Sequence, residues 1–204
     1  RGSMDRSQKD GGQPPDSVVQ TSDEILEDSE RLINKYHNSN EGAMTQIALA
    51  PCSPFSVSEK VMHESSKLSK KHSVLLHTHL AETEDENSFC LEKMGCRPLE
   101  YLEQVGWLTN RTWLAHGIHF TDKEIQKLGT SKTGLAHCPS SNMLLSSGVC
   151  RVPELEKSGV PVGIGVDGSA SNDTSNIMQE VRQAFLLQRL NFGSEVTHLT
   201  ALHW

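Results

Sequence analysis

Four short apolar runs end in side chains able to bind a metal or move a proton. His79 closes Val74-Leu75-Leu76-His77-Thr78-His79, His116 closes Thr112-Trp113-Leu114-Ala115-His116, His137 closes Gly134-Leu135-Ala136-His137, and Asp167 follows the run 160–166. In an extended segment His77 and His79 project to the same side. Glu82 lies three residues beyond His79, where the strand gives way to a turn. Imidazole suits a divalent transition metal, and a nearby carboxylate outside the ligand set suits proton transfer from an activated water. Asp167 sits in Gly163-Ile164-Gly165-Val166-Asp167-Gly168, where the glycines allow close packing or close approach of a ligand. Glu82 could instead be a charge that favours the start of the next helix, and Asp167 a plain helix cap. Thr83 is better placed for the first duty, and Ser171, Asn172 and Asp173 for the second. One strand-end histidine is unremarkable, but polar groups at four successive strand ends converge in a parallel barrel, where they project from the C-terminal face.

The elements that must position these groups follow from capping and periodicity. Residues 1–20, with Gly11-Gly12-Gln13-Pro14-Pro15-Asp16, read as a long loop. Thr21 with Glu24 forms a capping-box pattern before Ile25, Ser29, Leu32 and Tyr36 at helical spacing. Residues 45–50 predict a strand, and Ser56 with Glu59 opens a helix reaching about Lys71. After the His77/His79 strand, Thr83 with Glu86 opens another helix, and 98–105 a further piece. Thr121 with Glu124 caps a helix between the His116 and His137 strands. Pro153 sits at a first helical position and Gly159 closes that helix. A last helix is expected to start near Asp173, with Ile177, Val181, Phe185 and Leu190 on one side. Strand and helix alternate about five times, the pattern of a parallel α/β fold with both sheet faces covered. The single domain is expected to span 1–204.

The 204 residues carry a formal charge of −7, which argues against a nucleic-acid or anionic-membrane partner. No run of about 18 apolar residues predicts a transmembrane helix, and Arg1-Gly2-Ser3-Met4 lacks the apolar stretch of a signal peptide. Five cysteines without a Cys-x-x-Cys pair argue against a disulfide framework or a thiolate zinc site, and predict a cytoplasmic protein.

Leu76-His77-Thr78-His79-Leu80-Ala81-Glu82-Thr83, Leu114-Ala115-His116-Gly117-Ile118-His119, Ala136-His137-Cys138-Pro139-Ser140-Ser141-Asn142-Met143 and Gly165-Val166-Asp167-Gly168-Ser169, in that order, resemble the amidohydrolase superfamily. They are most similar to its aminohydrolases of purines and s-triazines. The start, Arg1-Gly2-Ser3-Met4 with Gly11-Gly12-Gln13-Pro14-Pro15-Asp16-Ser17, resembles the 8-oxoguanine deaminases and hydroxy-triazine ethylaminohydrolases of that branch. The resemblance implies a (β/α)8 TIM-type barrel and one catalytic divalent metal ion, zinc or iron. It implies metal ligation by His79 and Asp167, proton shuttling by Glu82, and orientation of the attacking hydroxide by His116, with Glu82 and His116 also touching substrate. It further implies that Asp167 accepts a proton from the water. The implied reaction is hydrolytic loss of ammonia from an amidine-like ring carbon, as in 8-oxoguanine. The partner is then a small heterocyclic amine, and the full-length form a homo-oligomer. His77 is expected in a supporting or packing role, His137, Ser141 and Asn142 as structural or pocket-lining residues, and His119 as a loop histidine without consequence for catalysis.

The family pattern also has a His-x-His at its first strand, and none occurs upstream of His77. The chain therefore reads as an internal piece of a barrel, from about strand 3 to helix 8, with little turnover of its own. Two other readings accompany the purine deaminase: a triazine amino- or chlorohydrolase, and a scaffold that no longer catalyses.

Overall fold

Short apolar strands alternate with amphipathic helices from one end of the chain to the other. The computed structural model describes residues 1–204. In chain order the elements are β1 (Gly2–Ser3), α1 (Ser22–Tyr36), β2 (Ala48–Pro51), α2 (Glu59–His72), β3 (Leu75–Leu80), α3 (Glu84–Met94), α4 (Pro98–Gln104), β4 (Thr112–His116) and α5 (Asp122–Ser131). They continue with β5 (Gly134–His137), α6 (Pro139–Leu144), α7 (Val152–Lys157), β6 (Val162–Ile164), α8 (Ile177–Phe192) and α9 (His198–His203). No helix is long and apolar enough to cross a membrane.

The chain forms two compact units. The first comprises Arg1–Thr78 and Ser88–Thr112. Its strands β1, β2 and β3 pair in parallel, with Gly2 opposite Ala50 and Leu49 opposite Leu76. Ile25, Leu49, Val61, Met62, Leu102 and Trp107 are almost completely buried there. The Trp107 indole N–H donates to the Met62 carbonyl at 2.8 Å, so the largest apolar side chain leaves no polar atom unpaired.

The second unit comprises His79–Asn87 and Trp113–Trp204. Strands β4, β5 and β6 run parallel, with Leu114 opposite Leu135 and Ala136 opposite Gly163. Leu80, Leu114, Leu128, Leu135, Leu155 and Ala184 form its core. Helix α5 passes close to the segment after α7: a Cβ on Gly129 would lie 1.9 Å from the Ser158 carbonyl oxygen, so only glycine fits.

Local chemistry explains most boundaries. The Thr21–Glu24 and Thr121–Glu124 capping boxes form as the sequence predicts. Several expectations need correction. Residues 1–20 are not all loop, because Gly2–Ser3 pairs as a strand and one-turn 3-10 helices occur at Gln8–Asp10 and Asp16–Val18. Helix α2 is capped by Ser58 rather than Ser56, and the Asp5 carboxylate accepts both its N–H and its hydroxyl. Helix α6 was not anticipated after the Cys138-Pro139 break; Pro139 fits its first turn, where no N–H is needed.

Helix α8 starts at Ile177 under an Asn176 cap, not near Asp173. Its buried face carries Glu180, Ala184 and Gln188, whereas Ile177 and Leu190 are exposed. Val181 and Phe185 of the apolar stripe are half-buried, so the stripe is not the most buried face. Polar groups turn inward because they have buried donors and acceptors to satisfy, as the site shows.

Candidate active site

The second unit gathers the predicted residues at the C-terminal ends of its strands. His79 is near the end of β3, Glu82 in the turn beyond it, His116 the last residue of β4, and Asp167 three residues past β6. The imidazoles of His79 and His116 stack, with ring centroids 5.4 Å apart and planes inclined by 26°. His116 Nε2 lies 3.6 Å from Glu82 Oε2 and 3.9 Å from Asp167 Oδ2. Ligand atoms of His79, His116 and Asp167 all lie within 4.8 Å of one another.

His116 is 1% exposed, and its Nδ1 lies 2.8 Å from the Asn142 side-chain oxygen. An amide oxygen only accepts, so Nδ1–H donates and fixes the ring. Nε2 then faces the carboxylates, the orientation that a ligating histidine requires. Two imidazoles and a carboxylate match the donor preferences of zinc and related divalent ions. The donor set thus fits a metal, with His79, Asp167 and His116 as the residues able to hold it.

Asp167 Oδ2 accepts the Ser141 hydroxyl at 2.5 Å and the Ser171 hydroxyl at 3.2 Å. Burial opposes its charge, but the Ser141 and Gly168 hydrogen bonds and the nearby imidazoles outweigh that and hold its carboxyl below the ordinary range. Asn172 donates from its side chain to the Val166 carbonyl and to Glu180, both at 2.9 Å. Glu180 also accepts the Ser140 N–H and hydroxyl. The inward face of α8 therefore braces the loop that carries Asp167. Ser171 and Asn172 were expected to cap that helix; the structure commits them to Asp167 and its loop instead.

Glu82 Oε1 accepts the Ser147 hydroxyl at 3.1 Å. The Ser147 carbonyl accepts His119 Nε2–H at 3.0 Å, while His119 Nδ1 lies 2.8 Å from a Glu84 carboxylate oxygen. His119 is a loop residue, as expected, and its ring anchors the segment whose Ser147 holds Glu82. Behind Glu82, the buried Glu86 carboxylate accepts the N–H groups of Ala81 and Glu82 at 2.9 and 3.0 Å. Burial raises the Glu86 carboxyl to about 7.

His137 is fully buried and accepts at Nε2 from the Gln188 amide at 3.4 Å. Burial lowers its pKa to about 3, which keeps it neutral. Burial pushes the Cys138 thiol up to about 12, so it is no nucleophile. His77 lies one strand step before the site, on β3.

Three residues at the strand ends adopt left-handed backbone conformations without being glycine: Ala81 (φ 53°), His116 (φ 72°) and Asp167 (φ 62°). Such conformations cost roughly 1–3 kcal/mol each and persist where surrounding contacts over-determine them. They mark the places where each chain segment bends to present its functional group. Sequence reading missed these bends, as well as Ser147, Glu86 and Glu180. Glycine would have signalled a bend, and a Glu three residues after a Thr reads as an ordinary cap.

Known proteins match both the sequence and the structure. The Amidohydrolase family model matches residues 1–204. The chain is 58% identical over 205 aligned positions to the 8-oxoguanine deaminase of Pseudomonas aeruginosa, covering 100% of this chain and 46% of that protein. It is 38% identical to a hydroxydechloroatrazine ethylaminohydrolase of Pseudomonas sp., covering 97% of this chain and 40% of that protein. The crystal structure of atrazine chlorohydrolase TrzN from Arthrobacter aurescens TC1, complexed with zinc, superimposes with a TM-score of 0.91 at 29% identity. That match covers 96% of this chain and 43% of the other. The chain spans less than half the length of these relatives. Matched by the family model along its whole length and by a solved member in its fold, the chain belongs to the Amidohydrolase family, as part of its (β/α)8 barrel.

Proposed function

We propose that this chain supplies the C-terminal-face machinery of a metal-dependent hydrolytic deaminase acting on an amino-substituted purine such as 8-oxoguanine. The observation that carries the proposal is the convergence of Glu82, His116 and Asp167 on one point beside His79. The 58% identity to an 8-oxoguanine deaminase supports the substrate class.

His79 and Asp167 would hold one divalent ion, zinc or iron, with the His116 Nε2 within reach of the same position. When bound, such an ion makes a water molecule nucleophilic near neutral pH. Glu82 is held by Ser147 on one oxygen and turns the other toward His116, so it can take a proton from the water and pass it to a ring nitrogen. Asp167, held as a carboxylate by Ser141, accepts the second water proton. His116, fixed through Asn142, turns Nε2 toward the attacking water, accepts a hydrogen bond from it and so orients it. Addition of water to the amidine carbon is followed by cleavage of the exocyclic C–N bond. The proton from Asp167 leaves with the amine as ammonia, and a ring carbonyl remains.

The test is a chimera in which residues 1–204 replace the matching segment of the Pseudomonas aeruginosa deaminase. Ammonia release from 8-oxoguanine is the expected result. The likeness to a triazine-acting relative and a triazine chlorohydrolase structure favours one second reading, a triazine amino- or chlorohydrolase. Ethylamine or chloride release from triazines, with 8-oxoguanine inert, would select that reading instead. A folded, zinc-loaded chimera inert toward both classes would overturn the assignment of Glu82 and Asp167 as proton carriers.

A further inference from the structure

The Glu86 carboxylate is 2% exposed, and neither of its oxygens serves the usual partner of a helix cap. Thr83 caps α3 by accepting the Glu86 N–H at 3.3 Å. In a capping box the glutamate would return to the N–H of the capping residue itself. Here it reaches further back, to the N–H groups of Ala81 and Glu82.

Those two amides are the backbone that decides where Glu82 points. Ala81 is 1% exposed and left-handed, an unfavourable conformation for a residue with a Cβ. Its carbonyl accepts the N–H groups of Ile118 and His119 at 2.8 and 2.9 Å. The Leu80 carbonyl accepts the Gly117 N–H at 3.1 Å. The turn after β3 is thus tied to the turn after β4 through carbonyls, and to Glu86 through amides. His79 precedes this node, Glu82 follows it, and His116 immediately precedes the facing turn.

We infer that Glu86 is a positioning residue for Glu82: its two oxygens hold the left-handed Ala81 turn that swings the proton-carrying side chain from the strand toward His116. This rests on the reading of Glu82 as the proton carrier. His79, His116 and Asp167 lie outside the clamp, on strand ends held by their own hydrogen bonds. Loss of the clamp therefore displaces Glu82 while leaving the metal-binding donors in place.

Glu86→Gln tests this, because the amide nitrogen faces an N–H donor where a carboxylate oxygen accepted one. In the chain itself, hydrogen exchange at the Ala81 and Glu82 amides is expected to quicken by about tenfold or more, with β5 and β6 unchanged. Zinc affinity is expected to stay within about threefold. In the chimera, kcat is expected to fall by about a hundredfold with KM within about threefold, since a misplaced catalytic group costs roughly that much. Glu86→Asp, which keeps the charge one methylene short, is expected to show a smaller loss of the same kind. It also replaces Glu86→Gln in the comparison if that variant does not fold.

Unchanged exchange at Ala81 and Glu82 would overturn the proposal. So would loss of zinc binding together with exchange throughout the second unit, which would make Glu86 merely structural. An inactive unsubstituted chimera would count against the deaminase reading, while the exchange measurement would still decide the role of Glu86.

Discussion

His116 shows how much one side chain can be determined by its neighbours. Asn142 fixes one nitrogen, and the other faces Glu82 and Asp167. If Glu82 carries the proton, Glu82→Gln should lower chimera turnover by about 10²–10⁴-fold and leave zinc affinity within about threefold. Steady-state ammonia release and zinc titration on the same preparation would check this, and parallel loss of both would assign Glu82 to the metal instead. Glu86 makes a separate prediction about pH. Its folded pKa of about 7 exceeds the 4.5 expected of an ordinary glutamate, so the folded state holds the proton more tightly. Stability from this group is complete below about pH 4.5 and is lost as pH rises through about 7. Urea unfolding between those values should fall more steeply with rising pH in the unsubstituted chain than in Glu86→Gln. Equal slopes would show that Glu86 does not bind its proton more tightly in the fold. The grouping of His79, His116 and Asp167 was legible in the sequence because each ends or follows an apolar run and its type is wrong for a core. Ser147 and Glu86 were not, because hydroxyls in loops and glutamates in first turns are ordinary, and only the folded chain shows what they touch.

Strands and helices were legible wherever period and cap agreed, as at Thr21–Glu24 and Thr121–Glu124. They failed where tertiary demands override local preference. Helix α8 turns Glu180 and Gln188 inward because Ser140, Asn172 and the Cys150 carbonyl need partners there. Apolar periodicity cannot register such a demand. The bends at Ala81, His116 and Asp167 were equally silent, since the residues that adopt them are not glycine. Where glycine is required, packing makes a sharp prediction. Gly129→Ala would put a methyl group against the Ser158 carbonyl, forcing α5 from the segment after α7. The expected cost is about 1–3 kcal/mol or more, read as a lower urea midpoint. An unchanged midpoint would show that these segments can separate freely.

At the scale of the whole molecule, parallel strands with intervening helices were predictable from alternation alone. Recognition of the strand-end motifs made the barrel specific. The relatives are more than twice as long, so the chain by itself is expected to show little or no ammonia release, and the chimera measurable release. Comparable turnover by the isolated chain would mean that His79, Glu82, His116 and Asp167 suffice for catalysis. The central claim is that these strand ends form a metal centre. It is tested most directly by zinc titration of the chain beside its Asp167→Ala and His79→Ala variants. The account predicts one saturable site per chain, weakened about tenfold or more by either substitution. Zinc binding that is absent, or indifferent to both residues, would contradict it.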